Sequence, residues 1–178
     1  MTQKLMPIVV DVFAAARTGD SVSGDVRIDG MTRLRPLLAS SEGTVAYRYS
    51  AFVDGRQRPA GSLSLRAVLG LTCSHCEQPV AFTLEASREY SFVHDERALE
   101  AIGLEDADSE PLVGSPRFDL DGLIEDELIL ELPIAPRHPA CQREIDAGAR
   151  PAVEMAARPF AALAALQPAG GTRPPDKQ

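Results

Sequence analysis

The chain has 178 residues, 44% of them hydrophobic, and a formal net charge of −8 at pH 7. That is long enough for one domain with a real core, and too acidic overall for bulk counterion release to drive nucleic-acid binding. No run approaches the 18 or so apolar residues that a membrane helix needs, and an odd number of cysteines, three, suits a reducing compartment better than a disulfide framework.

The opening MTQKLMPIVVDVFAAARTGD has a short apolar run and an alanine cluster, interrupted at once by acids and an arginine. It does not read as a signal peptide, so the expectation is a cytoplasmic protein with no membrane partner. Four segments then alternate with period two. Val22, Gly24, Val26 and Ile28 share one face; so do Val45, Tyr47, Tyr49, Ala51 and Val53. Leu63, Leu65, Ala67, Leu69 and Leu71 align, as do Val80, Phe82, Leu84, Tyr90 and Phe92. The pattern predicts half-buried antiparallel strands, with a turn at Asp54-Gly55 between the second and third.

Between these, MTRLRPLLAS (31–40) reads as a short helix or turn weakened by Pro36. Residues 95–115 are acidic and broken by Gly103, Pro111 and Gly114, which reads as a helical turn inside a long loop. In FDLDGLIEDELILELP, Leu120, Leu123, Ile124 and Leu128 have helical spacing, Asp119 or Asp121 can cap, and Pro133 stops the run. Leu128, Leu130 and Leu132 fit a strand as well, which leaves the last turn open. Residues 142–158 read as a linker, RPFAALAAL (158–166) as a short amphipathic helix, and the end as a disordered tail. The expected fold class is α+β, a mainly antiparallel sheet, open or barrel-like, with a few short helices.

Charge is unevenly spread. Residues 1–76 carry nine basic and six acidic side chains, whereas residues 77–132 carry three basic and sixteen acidic. The basic segment makes Arg33, Arg35, Arg48, Arg56, Arg58 and Arg66 the candidate RNA contacts. The acidic block reads first as a solvated surface, and otherwise as a protein-facing one.

Two features could carry chemistry. Cys73-Ser-His-Cys76 resembles a redox dithiol, but that chemistry needs a helix after the pair, and Glu77-Gln78-Pro79 leads into a strand instead. Cys73 and Cys76 on a turn, with His138-Pro-Ala-Cys141 downstream, make C-x2-C and H-x2-C, the donor set of a structural Cys3His zinc site with no open position. The competing reading is small buried cysteines. The acids Asp119, Asp121, Glu125, Asp126 and Glu127 could hold magnesium in a nuclease, but each also serves as cap, first-turn charge or solvated face. No P-loop, GxSxG or HExxH is present.

The order of these pieces resembles a known family. The Cys pair after a strand, Glu125-Asp126-Glu127-Leu128-Ile129-Leu130 with Leu132-Pro133, Pro136 and His138, and Pro159-Phe160-Ala161 with Leu163 and Leu166 are similar to the bacterial YceD family of large ribosomal RNA subunit accumulation proteins. The early RLRPLL resembles that family's R-L element. The sequence departs from the pattern at His75, where Arg is usual, and at Arg158, where Asn is usual. The resemblance spans most of residues 5–167 and implies a single domain over 1–167 with a tail at 168–178. It also implies a non-enzymatic role in 23S ribosomal RNA accumulation and large-subunit biogenesis. Expected partners are precursor RNA or an assembly intermediate, with Glu125, Asp126 and Glu127 as contacts to a ribosomal or assembly protein. The alternatives are a metal-dependent RNA-processing nuclease and a zinc-stabilised adaptor.

Overall fold

The structure, a computed structural model, describes residues 7–102 and 109–148. The helix expected at 158–166 and the tail at 168–178 lie outside the described residues. The chain divides into two compact units, Met1–His138 and Pro139–Gln178.

The first unit opens with β1 (Val9–Val10) and helix α1 (Val12–Thr18). Asp11 starts the helix: its carboxylate accepts the N–H groups of Phe13 and Ala14 at 3.1 and 2.9 Å. Gly19 ends it at φ 72°, a conformation that glycine adopts without a Cβ clash. The alternating segments follow as β2 (Ser21–Arg27), β3 (Thr44–Val53), β4 (Pro59–Thr72) and β5 (Pro79–Val93), each antiparallel to the one before. Helix α2 (Glu96–Glu100), capped by Asp95, precedes β6 (Glu110–Val113), which joins β5 in parallel. Then β7 (Phe118–Asp119) pairs with β1 and runs directly into α3 (Leu120–Leu130).

Period-two patterning sets the core. Val45, Tyr47 and Tyr49 on β3, Leu63, Leu65 and Leu69 on β4, and Leu84, Tyr90 and Phe92 on β5 point to one face of the sheet. Val12, Ala15 and Ala16 of α1 and Leu120, Ile124 and Leu128 of α3 belong to the same buried cluster. The opposite face is largely polar: Ser23, Arg48, Ser64 and Ser87 lie side by side across four strands.

The architecture is the expected α+β fold on a mostly antiparallel sheet, with corrections. The sheet does not close into a barrel: its order is β2-β3-β4-β5-β6, so β2 and β6 are opposite ends. The last strand is only four residues long and pairs with β5 alone, so it offers no second edge for β2 to close onto. The long acidic loop contains a strand, β6. In the second unit, the segment read as a linker from residue 142 is helical up to Gly148, within α4 (Pro139–Gly148). Proline suits the first position of a helix, and the Ala, Gln, Arg and Glu that follow are good helix formers. The last turn of α3 is helical, not extended. At Arg35–Leu37 the chain makes one 3-10 turn, as Pro36 allows.

Candidate functional site

β4 and β5 form the longest hairpin of the sheet, and Cys73–Gln78 is its tip. Cys73 N–H donates to Gln78 O at 2.9 Å and Glu77 N–H donates back to Cys73 O at 3.0 Å. Glu77 takes φ 60°, the left-handed region, so the chain doubles back within four residues. Pro79 then begins β5, and the helix that a redox dithiol would need does not form.

This turn gathers metal-binding atoms. Cys73 is fully buried, Cys76 exposed, and the segment ending at His138 runs across the tip. Ser74 N–H donates to Pro136 O at 2.8 Å, and Arg137 Nε donates to Ser74 Oγ at 3.1 Å. These two bonds fix His138, whose Nδ1 lies 3.4 Å from Cys76 Sγ and whose Nε2 lies 3.0 Å from Pro79 O. The donor atoms of Cys73, Cys76 and His138 are within 4.8 Å of one another, and the same group takes in Cys141, three residues on in α4. These donors are close enough to hold one metal ion. The Cys73 thiol is drawn down to about 5, first by the backbone N–H of Cys76, then by those of His75 and His138 and by the His138 ring, against the opposing effect of burial. His75 faces solvent.

The acids of α3 were the other candidates, and the structure gives them internal partners. Asp119 caps the helix, accepting Gly122 N–H at 3.0 Å. Asp121 accepts Ile8 N–H at 2.8 Å, tying the N-terminal strand to α3; burial pushes its carboxyl upward. Glu125, 8% exposed, accepts the N–H groups of Arg33 and Leu34 at 2.6 and 3.0 Å and the Arg33 Nε at 3.1 Å. Burial pushes this carboxyl up, but the two N–H groups and the guanidinium outweigh it and hold it below its usual value. Asp126 also pairs with Arg33, at the surface. Glu127, 3% exposed, meets Arg88 Nε at 2.8 Å. Arg88 continues to Glu131 at 3.1 Å and to Glu110 of β6 at 3.7 Å, so one guanidinium joins β5, β6 and α3. Arg88 stands on the core face of β5 and was absent from the sequence-derived candidates. The signal was available: an arginine at a buried-face position with acids on the helix above.

The six candidate arginines do not form one patch. Arg33 is engaged by α3, and Arg58 by Asp54 at 2.8 Å within its own turn. Arg48 and Arg66 stand on the open face of the sheet, in adjacent strands; Arg66 has a loose contact with Glu85 at 3.8 Å. Arg35 and Arg56 are exposed on separate loops.

Comparison with known proteins identifies the family. The sequence profile of the family described as large ribosomal RNA subunit accumulation protein YceD matches residues 61–167, more than half of the chain. The chain belongs to the YceD family. It is 28% identical, over 181 residues, to the large ribosomal RNA subunit accumulation protein YceD of Haemophilus influenzae, an alignment covering 94% of this chain and 99% of that protein. No solved structure matches. The family resemblance rested partly on Arg33-Leu34 and on Glu125-Asp126-Glu127, ninety residues apart. In the fold Glu125 and Asp126 meet Arg33 and Leu34, while Glu127 turns to Arg88. Among the described residues, no helix is long and apolar enough to cross a membrane.

Proposed function

We propose that this chain supports the accumulation of large-subunit ribosomal RNA by binding, not by catalysis, and that its partner is 23S precursor RNA or a large-subunit assembly intermediate. The family match carries the reading, since a relative aligned over nearly its whole length bears that role in its name. The site geometry supports it. A magnesium nuclease needs carboxylates turned together toward an open cavity. Here Asp119, Asp121, Glu125 and Glu127 are spent on backbone N–H groups and on Arg88, which favours a structural over a catalytic use.

For RNA, the open face of the sheet is the better candidate. Arg48 is flanked in register by Ser23 and Ser64, and Arg66, opposite Glu85, stands on the next strand, so two exposed guanidinium groups share one face on which phosphates could be met. For a protein partner, Asp126 is the member of the Glu125-Asp126-Glu127 run that reaches solvent. The cofactor we propose is zinc, held structurally by Cys73, Cys76, His138 and Cys141, a donor set that suits zinc and leaves no open position.

Co-sedimentation of tagged protein with large-subunit precursors tests the binding reading. Reversing both charges, Arg48→Glu with Arg66→Glu, is expected to abolish association while the fold is retained. If direct RNA binding is measured, the slope of log affinity against log salt should fall by about 1.5, from two lost phosphate contacts. Unchanged association would refute the role of this face. Magnesium-dependent cleavage of precursor RNA that is lost in Asp126→Ala would instead favour the nuclease.

A further inference from the structure

The hairpin tip holds more information than a list of metal ligands, because the surrounding bonds constrain how each donor can act. The first constraint is on the histidine. Its Nε2 lies 3.0 Å from the Pro79 carbonyl, an acceptor with no proton to give. The proton of the hydrogen bond must therefore sit on Nε2, and a neutral ring protonated there offers its lone pair at Nδ1. Nδ1 is also the atom that faces Cys76 Sγ. Metal-bound histidines commonly have the second ring nitrogen held in this way by a carbonyl.

The second constraint is distance. Zinc bonds of about 2.3 Å to sulfur and about 2.05 Å to nitrogen, at a tetrahedral angle, place the two ligand atoms about 3.6 Å apart. Cys76 Sγ and His138 Nδ1 stand 3.4 Å apart, already close to that edge.

The third constraint is connectivity. Cys73 and Cys76 are fixed by the hydrogen bonds of the turn, and His138 by Ser74 N–H on Pro136 and by Arg137 on Ser74. All three donors belong to the unit Met1–His138, and each is positioned by bonds that need no metal.

We infer that Cys73, Cys76 and His138, the last binding through Nδ1 with its Nε2–H on the Pro79 carbonyl, form a prebuilt three-point zinc seat. The inference rests on the zinc reading above and is separable from it. Any proton still on a sulfur passes to solvent as that sulfur binds, and no oxidant or reductant takes part.

The test uses the full chain purified with zinc. Elemental analysis first decides the underlying reading: about one zinc per chain is expected, and a metal-free preparation that takes up none from added zinc would overturn it. The seat is decided separately. Cys73→Ser, Cys76→Ser and His138→Ala should each lose zinc at a chelator concentration that the unsubstituted protein withstands, and retention in any one of them would overturn the seat while leaving zinc binding intact. A measurement on the unsubstituted protein guards against misfolded variants. In the cadmium-113-loaded chain, metal coupling through Nδ1 reaches the His138 ring proton on Cε1 alone, whereas coupling through Nε2 reaches the Cδ2 proton as well. Coupling to both protons would overturn the Nδ1 assignment.

Discussion

Replacing Glu125 by alanine is the sharpest probe of what the acidic helix does. In the folded chain its carboxylate accepts two backbone N–H groups, from Arg33 at 2.6 Å and from fully buried Leu34 at 3.0 Å. Truncation leaves both without an acceptor, and the side chain that remains cannot admit water to Leu34 without opening the core. Hydrogen bonds to a charged group contribute roughly 1.5–3 kcal/mol each, so the expected cost is about 3–5 kcal/mol. For a chain of this size that corresponds to a melting temperature lowered by roughly 6–20 °C. Glu125→Gln keeps an oxygen acceptor but loses the charge facing Arg33, and should cost about 1–2 kcal/mol. Urea unfolding of the three proteins at pH 7 gives the comparison. Because the folded carboxyl is held below its usual value, its stabilisation is present above the ordinary carboxylate range and is lost as pH falls through the lowered value. The gap between wild type and Glu125→Gln should therefore narrow below pH 4.5. An alanine variant within 1 kcal/mol of wild type, or a glutamine variant as unstable as alanine, would refute the reasoning.

Other outcomes follow from neighbouring contacts. Arg88→Ala strands Glu127 as a buried unpaired charge and should cost about 2–3 kcal/mol, a value reduced because Arg88 is 41% exposed; adding Glu127→Gln should recover part of it in the same urea assay. A Cβ at Gly61 would stand 2.6 Å from Tyr49 Cζ, inside the core, so Gly61→Ala should destabilise by about 1–3 kcal/mol. Gly30→Ala, which meets nothing within 4 Å, is the control and should stay within about 0.5 kcal/mol by thermal melt. Zinc-loaded protein treated with a chelator should melt at a lower temperature and recover on readdition of zinc, whereas an unchanged melt would mean that the metal does not stabilise the fold.

What the sequence made legible were the long elements. β3, β4 and β5 alternate over ten residues or more, and α3 carries both its cap and its apolar stripe in one run. The Cys73–Cys76 turn could be read because Pro79 and the strand behind it exclude a helix. β1 and β7 have two residues each, and β6 has four. Such strands are defined by a partner more than a hundred residues away in the first case, not by a pattern of their own. α1 was missed although Asp11 and Gly19 bracket it, because its alanines bury little and give a weak stripe. The acidic run misled in an instructive way. Solvated acids and acids folded inward onto an arginine have the same spacing, and only the tertiary approach of Arg33 and Arg88 separates them.

An open sheet leaves two outer strands, each with a row of backbone groups that could recruit a strand from another molecule. Here both are guarded. β2 carries Asp25 and Arg27 around a glycine, and β6 is four residues long with Glu110 and Pro111, the latter lacking an N–H to donate. Strand addition at either margin is therefore disfavoured, which protects a crowded chain from edge-to-edge aggregation. It also narrows how any partner can grip this protein: by the polar face, the loops or the hairpin tip, and not by extending the sheet.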